Sequence, residues 1–267
     1  MNSETLHQAL QVLSLISDLE YHASIGSTND RALELARQGA PEGFVVVADT
    51  QTRGKGRRGK SWQDESGRSL LFTLLLRPSV DPQLRGLIGL ALAVGAAEAV
   101  TELTGLAVRT KWPNDLVLLQ PSGTPAKLAG ILVEGDADFC VAGLGLNVGP
   151  VPPFAAAGLP AVGLAPHAAT VPPREALLAA ILRHFEPWYR LLTEDGARQV
   201  ARAFRELDIT LGCAVTLREG SREVTGLAVD LDATGALIVQ IGAERHRFLA
   251  GEVSLSHTSS FSKDPNF

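Results

Sequence analysis

Gly54-Lys55-Gly56-Arg57-Arg58-Gly59-Lys60-Ser61 decides how the rest of the chain is read. Three glycines and four of the chain's 24 basic residues fall in this stretch, with Arg53 directly ahead, although the net charge of the chain is -5. Glycine lets the backbone take positive φ and bring N–H groups close to a ligand, while Arg and Lys supply charge-assisted donors. The segment therefore predicts a phosphate or carboxylate site.

These residues match two phosphate-binding patterns at once, G-x-G-x-x-G and G-x-x-x-x-G-K-[ST]. Both patterns need the loop to run from a strand into a helix, whose N-terminus then faces the phosphates. Phe44–Ala48 reads as a strand ahead of the loop. After the polar turn from Trp62 to Arg68, Leu70–Leu76 reads as a second short, buried strand stopped by Arg77-Pro78. The order strand, basic loop, strand disfavours both the dinucleotide and the P-loop reading, and leaves a basic hairpin tip as the plain alternative.

At 267 residues, with 45% hydrophobic content, the chain can form one large domain or two unequal ones. No run approaches roughly 18 uncharged apolar residues, and Met1-Asn2-Ser3-Glu4 lacks a basic n-region, so a cytoplasmic protein without membrane contact is expected. Cys140 and Cys213 form neither a disulfide framework nor a metal site and read as reduced core thiols. An isoelectric point near 5.7 leaves only the basic loop for any contact with nucleic acid.

Outward from the loop, Leu6, Leu10, Leu13 and Ile16 predict a helix over 4–19, with a strand near 21–25 to follow. Ser27-Thr28-Asn29-Asp30 offers N-cap oxygens for a helix stopped by Gly39 and Pro41. Asp81-Pro82 opens a long apolar helix ending at Gly105, and strands are expected at 108–111, 116–119, 127–134 and 139–148. The Pro-, Gly- and Ala-rich stretch 149–173 reads as a long loop of the kind that forms lids. Helices over 173–192 and 196–207 precede short alternating strands at 214–217, 223–230, 236–241 and 245–249. The expected architecture is α+β: a catalytic domain over 1–208, a small C-terminal β-barrel over 209–257 and a frayed tail over 258–267.

Three further segments carry polar heads. Lys111-Trp112-Pro113-Asn114-Asp115 sets a cation, an amide and a carboxylate around a proline, Lys127 opens a buried strand containing Gly130, and Gly145-Leu146-Asn147 ends another. Each taken singly is also ordinary turn or strand-end chemistry. In order and spacing, Ser27-Thr28-Asn29, Gln51, Gly54–Gly59 with Trp62, Lys111–Asp115, Lys127–Leu132 and Gly145–Asn147 together resemble the biotin protein ligase family. The resemblance runs from about residue 20 to 256 and includes Gly251-Glu252-Val253-Ser254-Leu255.

That resemblance implies a mixed-sheet catalytic domain of the biotin/lipoate ligase, class II synthetase-like type, with an SH3-like C-terminal barrel. It implies activation of biotin by ATP and Mg²⁺ to biotinyl-5′-AMP, then transfer to a lysine of a biotin carboxyl carrier protein. Arg57, Lys111, Asp115 and Lys127 would be catalytic, with Asp115 orienting the acceptor amine. Biotin would meet Ser27, Thr28, Asn29, Gln51, Gly54, Lys55, Gly56, Arg57, Lys127 and Gly130. ATP would meet Arg57, Arg58, Lys60, Trp62, Lys111, Asn114 and Asn147, with Mg²⁺ held mainly by phosphates near Asn114. Like charges in the basic loop would keep it unordered until ligand binds.

Lys55 stands where many members have Arg, keeping charge without the bidentate fork. Phe154 is the one aromatic candidate in 149–173 for an adenine contact. Because Ser27-Thr28-Asn29 comes so early, one helix precedes it, so no helix-turn-helix and no repressor activity is expected. Family members often pair through their sheets, so a homodimer is within the expectation. The competing classes are a nucleic-acid-binding module, a lipoate or other acyl ligase, and a P-loop NTPase.

Overall fold

Uninterrupted apolar runs make strands that are covered on both faces. In β3 (Ser69–Leu76), Leu70, Phe72, Leu74 and Leu76 enter the main core, while Leu75 joins Ala32, Ala36, Val46, Phe139 and Val141 on the opposite face. This is the period of two of an extended chain. The computed structural model describes residues 1–63, 67–120, 122–136, 138–151 and 159–255. The tail over 258–267 and Phe154 lie outside the described residues.

The elements in chain order begin with α1 (Ser3–Leu10), β1 (Asp18–His22), α2 (Thr28–Arg37), β2 (Phe44–Ala48) and β3. There follow α3 (Gly86–Thr104), β4 (Val108–Lys111), β5 (Asp115–Leu119), β6 (Pro125–Gly135) and β7 (Cys140–Asn147). Seven strands form a sheet in the order β1-β2-β3-β7-β6-β5-β4. Only β1 and β2 run parallel, so the sheet is mixed, as expected. The helix α2 covers one face; α3, α4 (Arg174–Thr193) and α5 (Ala197–Leu207) cover the other.

Two expectations change. The first helix stops at Leu10 rather than reaching residue 19. Ser17 N donates to Gly43 O at 3.0 Å, and Gly43 takes a positive φ of 82° with Leu15 O only 1.8 Å from where a Cβ would sit. Docking of β1 onto β2 overrides the helical spacing of Leu13 and Ile16. The second change concerns Pro82–Thr104, which is long and apolar enough to cross a membrane by length and composition. Counting uncharged residues missed it, since Glu98 and Glu102 interrupt the run. The helix lies largely buried between the sheet, α4 and α5.

Gly95 lets α3 touch the backbone of α4: a Cβ there would lie 2.7 Å from Phe185 N and 2.8 Å from its Cα. Backbone cannot swing aside as a side chain can, so Gly95→Ala is expected to lower stability by about 1–3 kcal/mol. Urea unfolding checks this, with the ligand affinity of the folded fraction unchanged.

The C-terminal strands β8 (Ala214–Glu219), β9 (Arg222–Leu231), β10 (Leu237–Ile241), β11 (Glu244–Phe248) and β12 (Glu252–Leu255) form an antiparallel sheet in the order β11-β10-β9-β8-β12. Its inner residues Val215, Leu217, Val239 and Phe248 join the same core as the large sheet. The chain crosses near Asp208 without a solvated linker, since Asp208 is 1% exposed.

Candidate active site

The basic loop is a hairpin between β2 and β3. Trp62 N donates to Gly54 O at 2.9 Å and Gly56 N to Lys60 O at 2.7 Å, which folds residues 54–62 back on themselves. At its tip Arg58 takes the left-handed region at φ 55°, ψ 39°, a conformation costly for a residue with a Cβ. Its guanidinium donates to Arg218 O at 2.6 Å, fixing the tip against the C-terminal sheet.

Mutual repulsion in the loop is smaller than the residue count suggested, because its cations have counter-groups. Lys55 pairs with Asp30, and Lys60 with Glu252. Arg57 Nη1 lies 3.3 Å from both Asn114 Oδ1 and Gly251 O. Burial, and next the neighbouring Arg58, push the Arg57 pKa down. The loop is thus strapped to α2 on one side and to the C-terminal sheet on the other.

Beneath it lies a cavity of about 840 Å³. All the sequence-predicted site residues line it except Gly54. A Cβ on Gly54 would lie 2.7 Å from Trp62 O, so this glycine serves the closure of the hairpin. Among the described residues six cationic side chains face two carboxylates, Asp115 and Glu252, around the wall.

One end is neutral and prearranged. Ser27 caps α2, and Gln51 Oε1 accepts from Thr28 N at 2.7 Å and from Thr28 Oγ1 at 3.0 Å. Asn29 is committed to the protein: its Nδ2 donates to Glu134 Oε2 at 2.8 Å and Leu132 O at 3.3 Å, and its Oδ1 accepts from Thr73 Oγ1 at 2.7 Å. It lines the cavity and at the same time braces the wall. A Cβ on Gly143 would strike Asn29 Oδ1, so that glycine belongs to the same contact.

The other end is charged. Lys111 is 6% exposed and its Nζ donates to Val253 O at 2.7 Å. Burial lowers its pKa, opposed chiefly by Asp115. Lys127 Nζ lies 2.7 Å from Asp115 Oδ1, yet that oxygen has no directed hydrogen bond, so the contact is an ion pair only. Asn114 donates through Nδ2 to Ile131 O at 2.7 Å, and Asn147 through Nδ2 to Val162 O at 3.2 Å. The described part of the long loop is pinned beside this end, with Lys127 N donating to Pro160 O and Val162 N to Lys127 O. Over 159–164 it is a strap rather than a free lid.

The floor is made of glycine. Gly130 and Gly145 face each other across β6 and β7, and the Trp62 indole lies on them. A Cβ on Gly145 would lie 2.6 Å from the ring, and one on Gly130 3.1 Å. Lys127 Nζ sits 5.9 Å from the ring centroid, within cation–π range. Trp62 Nε1 is buried with no hydrogen-bond partner among the described residues, leaving a donor at the cavity. Gly145→Ala is expected to displace the indole, seen as a red shift of tryptophan emission that is absent in a Trp62→Phe background.

Gly130 therefore admits an indole here, where the sequence suggested only a ligand. Sequence reasoning gave no site role to Gly143, Glu252, Val253 or Asp208. The first three act through contacts distant in sequence. Asp208 carried a signal, an acid ending a helix before an apolar segment, but nothing pointed to its partners.

Among the described residues no cluster of three or more His, Cys, Asp or Glu could hold a metal ion. Cys140 and Cys213 are buried and unbridged, and burial pushes the Cys140 thiol up to about 12.

Residues 21–147 match the Biotin/lipoate A/B protein ligase family, and residues 210–256 match the Biotin protein ligase C terminal domain. The chain is 32% identical over 249 residues to a biotin--[acetyl-CoA-carboxylase] ligase of Mycobacterium tuberculosis, covering 88% of each chain. It is 31% identical over 244 residues to the corresponding ligase of Paracoccus denitrificans, covering 86% of this chain and 98% of that one. Among solved structures, the biotin protein ligase of Aquifex aeolicus in complex with biotin and ATP superposes with a TM-score of 0.75 at 27% identity, covering 90% of this chain and 99% of that one. With relatives of one kind matched over most of its length, the chain belongs to the biotin protein ligase family.

Proposed function

We propose that the protein activates biotin with ATP to biotinyl-5′-AMP and then transfers the biotinyl group to a lysine of a biotin carboxyl carrier protein. The observation that carries this is a single cavity with a neutral hydrogen-bonding end at Ser27, Thr28 and Gln51 and a cationic end at Arg57, Lys111 and Lys127. Biotin has the same polarity, with a neutral ureido ring at one end and a carboxylate at the other.

In the first step a carboxylate oxygen attacks the α-phosphorus of Mg·ATP, the bond to the bridging oxygen breaks, and pyrophosphate leaves. Two anions must approach, so the step depends on placed positive charge. Arg57, Lys111 and Lys127 supply it next to the carboxylate, while Arg58 and Lys60 face the outgoing phosphates. Asn114 and Asn147 border the nucleotide, and Trp62 offers a ring face with a free N–H donor. Mg²⁺ enters as part of the ATP substrate, carried by phosphate oxygens, since among the described residues the cavity presents only Asp115 and Glu252 as carboxylates.

In the second step the lysine amine attacks the acyl carbon and AMP leaves with its phosphate. The Asp115–Lys127 pair gives this an order. Once the adenylate phosphate takes Lys127, the Asp115 carboxylate is released to hold the incoming ammonium and direct it as it loses its proton. The division of labour follows the two sheets, with chemistry on residues 1–208 and closure by 209–257. A cytoplasmic location and a homodimer joined through the sheets belong to the same proposal.

The test is ATP–pyrophosphate exchange run without acid, with biotin and with lipoate. Exchange that requires biotin supports adenylation of biotin. Exchange with lipoate alone favours the other acyl ligase, and no exchange with either acid in folded protein sinks the reading.

A further inference from the structure

Lys111 and Asp115 face each other as the last pair of the β4–β5 hairpin, with Trp112, Pro113 and Asn114 closing it. A turn of this kind directs the Trp112 amide away from the ladder, and here it points into the core, because Trp112 is 1% exposed. A buried N–H without an acceptor would let the turn shift towards one. The acceptor comes from 96 residues away: Asp208 Oδ1 lies 3.0 Å from Trp112 N, and Thr210 Oγ1 also lies 3.0 Å from it.

The carboxylate is itself fixed by three more donors. Thr210 Oγ1 donates to Oδ1 at 3.0 Å, and Thr210 N and Leu211 N donate to Oδ2 at 2.9 and 3.0 Å. Ile209 N donates to Thr110 O at 2.9 Å, so the segment also lies along β4. Burial pushes the Asp208 carboxyl up to about 6, and the surrounding donors oppose that rise. Every oxygen of this group is thus aimed, and one is aimed at the turn that carries Lys111, Asn114 and Asp115.

We propose that Asp208 is a positioning residue for adenylation, holding the Lys111–Asp115 turn so that Asn114 and the charges on either side of it face the reacting phosphate. The proposal rests on the ligase reading above. Asn114 is held to β6 through Ile131 at one end of the turn, and Asp208 holds the other end, so the side chain that meets Arg57 has little freedom. Biotin's neutral end sits on α2 and the segment after β2, away from this hold. Loss of Asp208 therefore weakens the chemical step more than biotin binding. Asparagine cannot replace it, since one of its two heads is a donor and would oppose the amides of Thr210 and Leu211 or that of Trp112.

The experiment compares wild type, Asp208→Asn and Thr110→Val for biotin-dependent pyrophosphate exchange, biotin binding by calorimetry and thermal melting. Thr110 is buried in the same junction, and its hydroxyl donates to Phe204 O at 3.4 Å without touching the turn amide. In Asp208→Asn the exchange kcat is expected to fall roughly 10²-fold, the scale of a misplaced reacting group. Its biotin Kd is expected to stay within about threefold, and Thr110→Val to melt earlier with kcat within about threefold, the split that separates positioning from binding. Should Asp208→Asn fail to fold, Thr210→Val decides, because it removes the second acceptor of Trp112 N and a donor to Asp208 while keeping shape. A lower kcat at unchanged biotin Kd supports the proposal. The proposal is overturned by unchanged kcat, by equal losses of kcat and biotin affinity, or by an equal kcat loss in Thr110→Val. Wild-type protein that does not exchange with biotin overturns the ligase reading as well; wild type that exchanges while Asp208→Asn keeps pace overturns the positioning role alone.

Discussion

Arg57→Ala is expected to lower biotin-dependent pyrophosphate exchange by roughly 10²- to 10³-fold, the loss typical of removing one preplaced donor from a developing anion. The guanidinium is well suited to that role because it is half-buried and lightly held. Its two contacts, to Asn114 Oδ1 and Gly251 O, are both 3.3 Å long, so they orient the group without satisfying it. Burial strips part of its water and pushes its pKa down, with the neighbouring Arg58 adding to the effect. Away from water the same charge acts more strongly on a phosphate. Arg57→Lys keeps the charge and loses the planar fork, and is expected to fall between wild type and Arg57→Ala. Circular dichroism should show both variants folded, and exchange within a few-fold of wild type in Arg57→Ala would refute the assignment.

Asp115→Ala separates the two steps. Transfer to the carrier lysine is expected to fall roughly 10²-fold or more, in the range of a lost positioned base, while pyrophosphate exchange falls far less. The ion pair with Lys127 explains the asymmetry. Removing Asp115 leaves Lys127, 28% exposed, able to find water and still available to the carboxylate and phosphate. Among the described residues it leaves the acceptor ammonium no carboxylate at the cationic end other than Glu252, which is paired with Lys60. Single-turnover transfer from preformed biotinyl-5′-AMP measures the second step alone. Equal losses in exchange and transfer would place Asp115 in adenylation and end the swap of partners proposed for it.

Much of this was legible in the chain itself. The buried strands β2 and β3, the apolar α3 with its stop at Gly105, and the helix α2 behind Ser27 follow from local pattern and capping. The order strand, basic loop, strand disfavoured both nucleotide motifs. The ordered set of Ser27-Thr28-Asn29, the basic loop, Lys111–Asp115, Lys127 and Gly145–Asn147 marked the family. These features depend on residues near one another in sequence, where periodicity, side-chain oxygen and proline act within a turn or two.

What local pattern could not carry was partnership. Asn29 looked like a ligand contact and is held by Thr73, Leu132 and Glu134; Gly54 looked like part of the cradle and instead closes the hairpin. The loop's cations appeared as a bare cluster until Asp30 and Glu252 were brought to them, and α1 ended early because Gly43 drew the chain into β1. The acceptor for the Trp112 amide lies at Asp208. Hydrogen bonds and ion pairs reach only a few ångströms, so residues 96 or 192 positions apart can be recognised as partners only after the sheets have packed. The sequence by itself determined most of the elements, the kind of chemistry and the family, because those are written in neighbouring residues; the tertiary structure decided where α1 and β1 begin and end, and which polar residues are held by others.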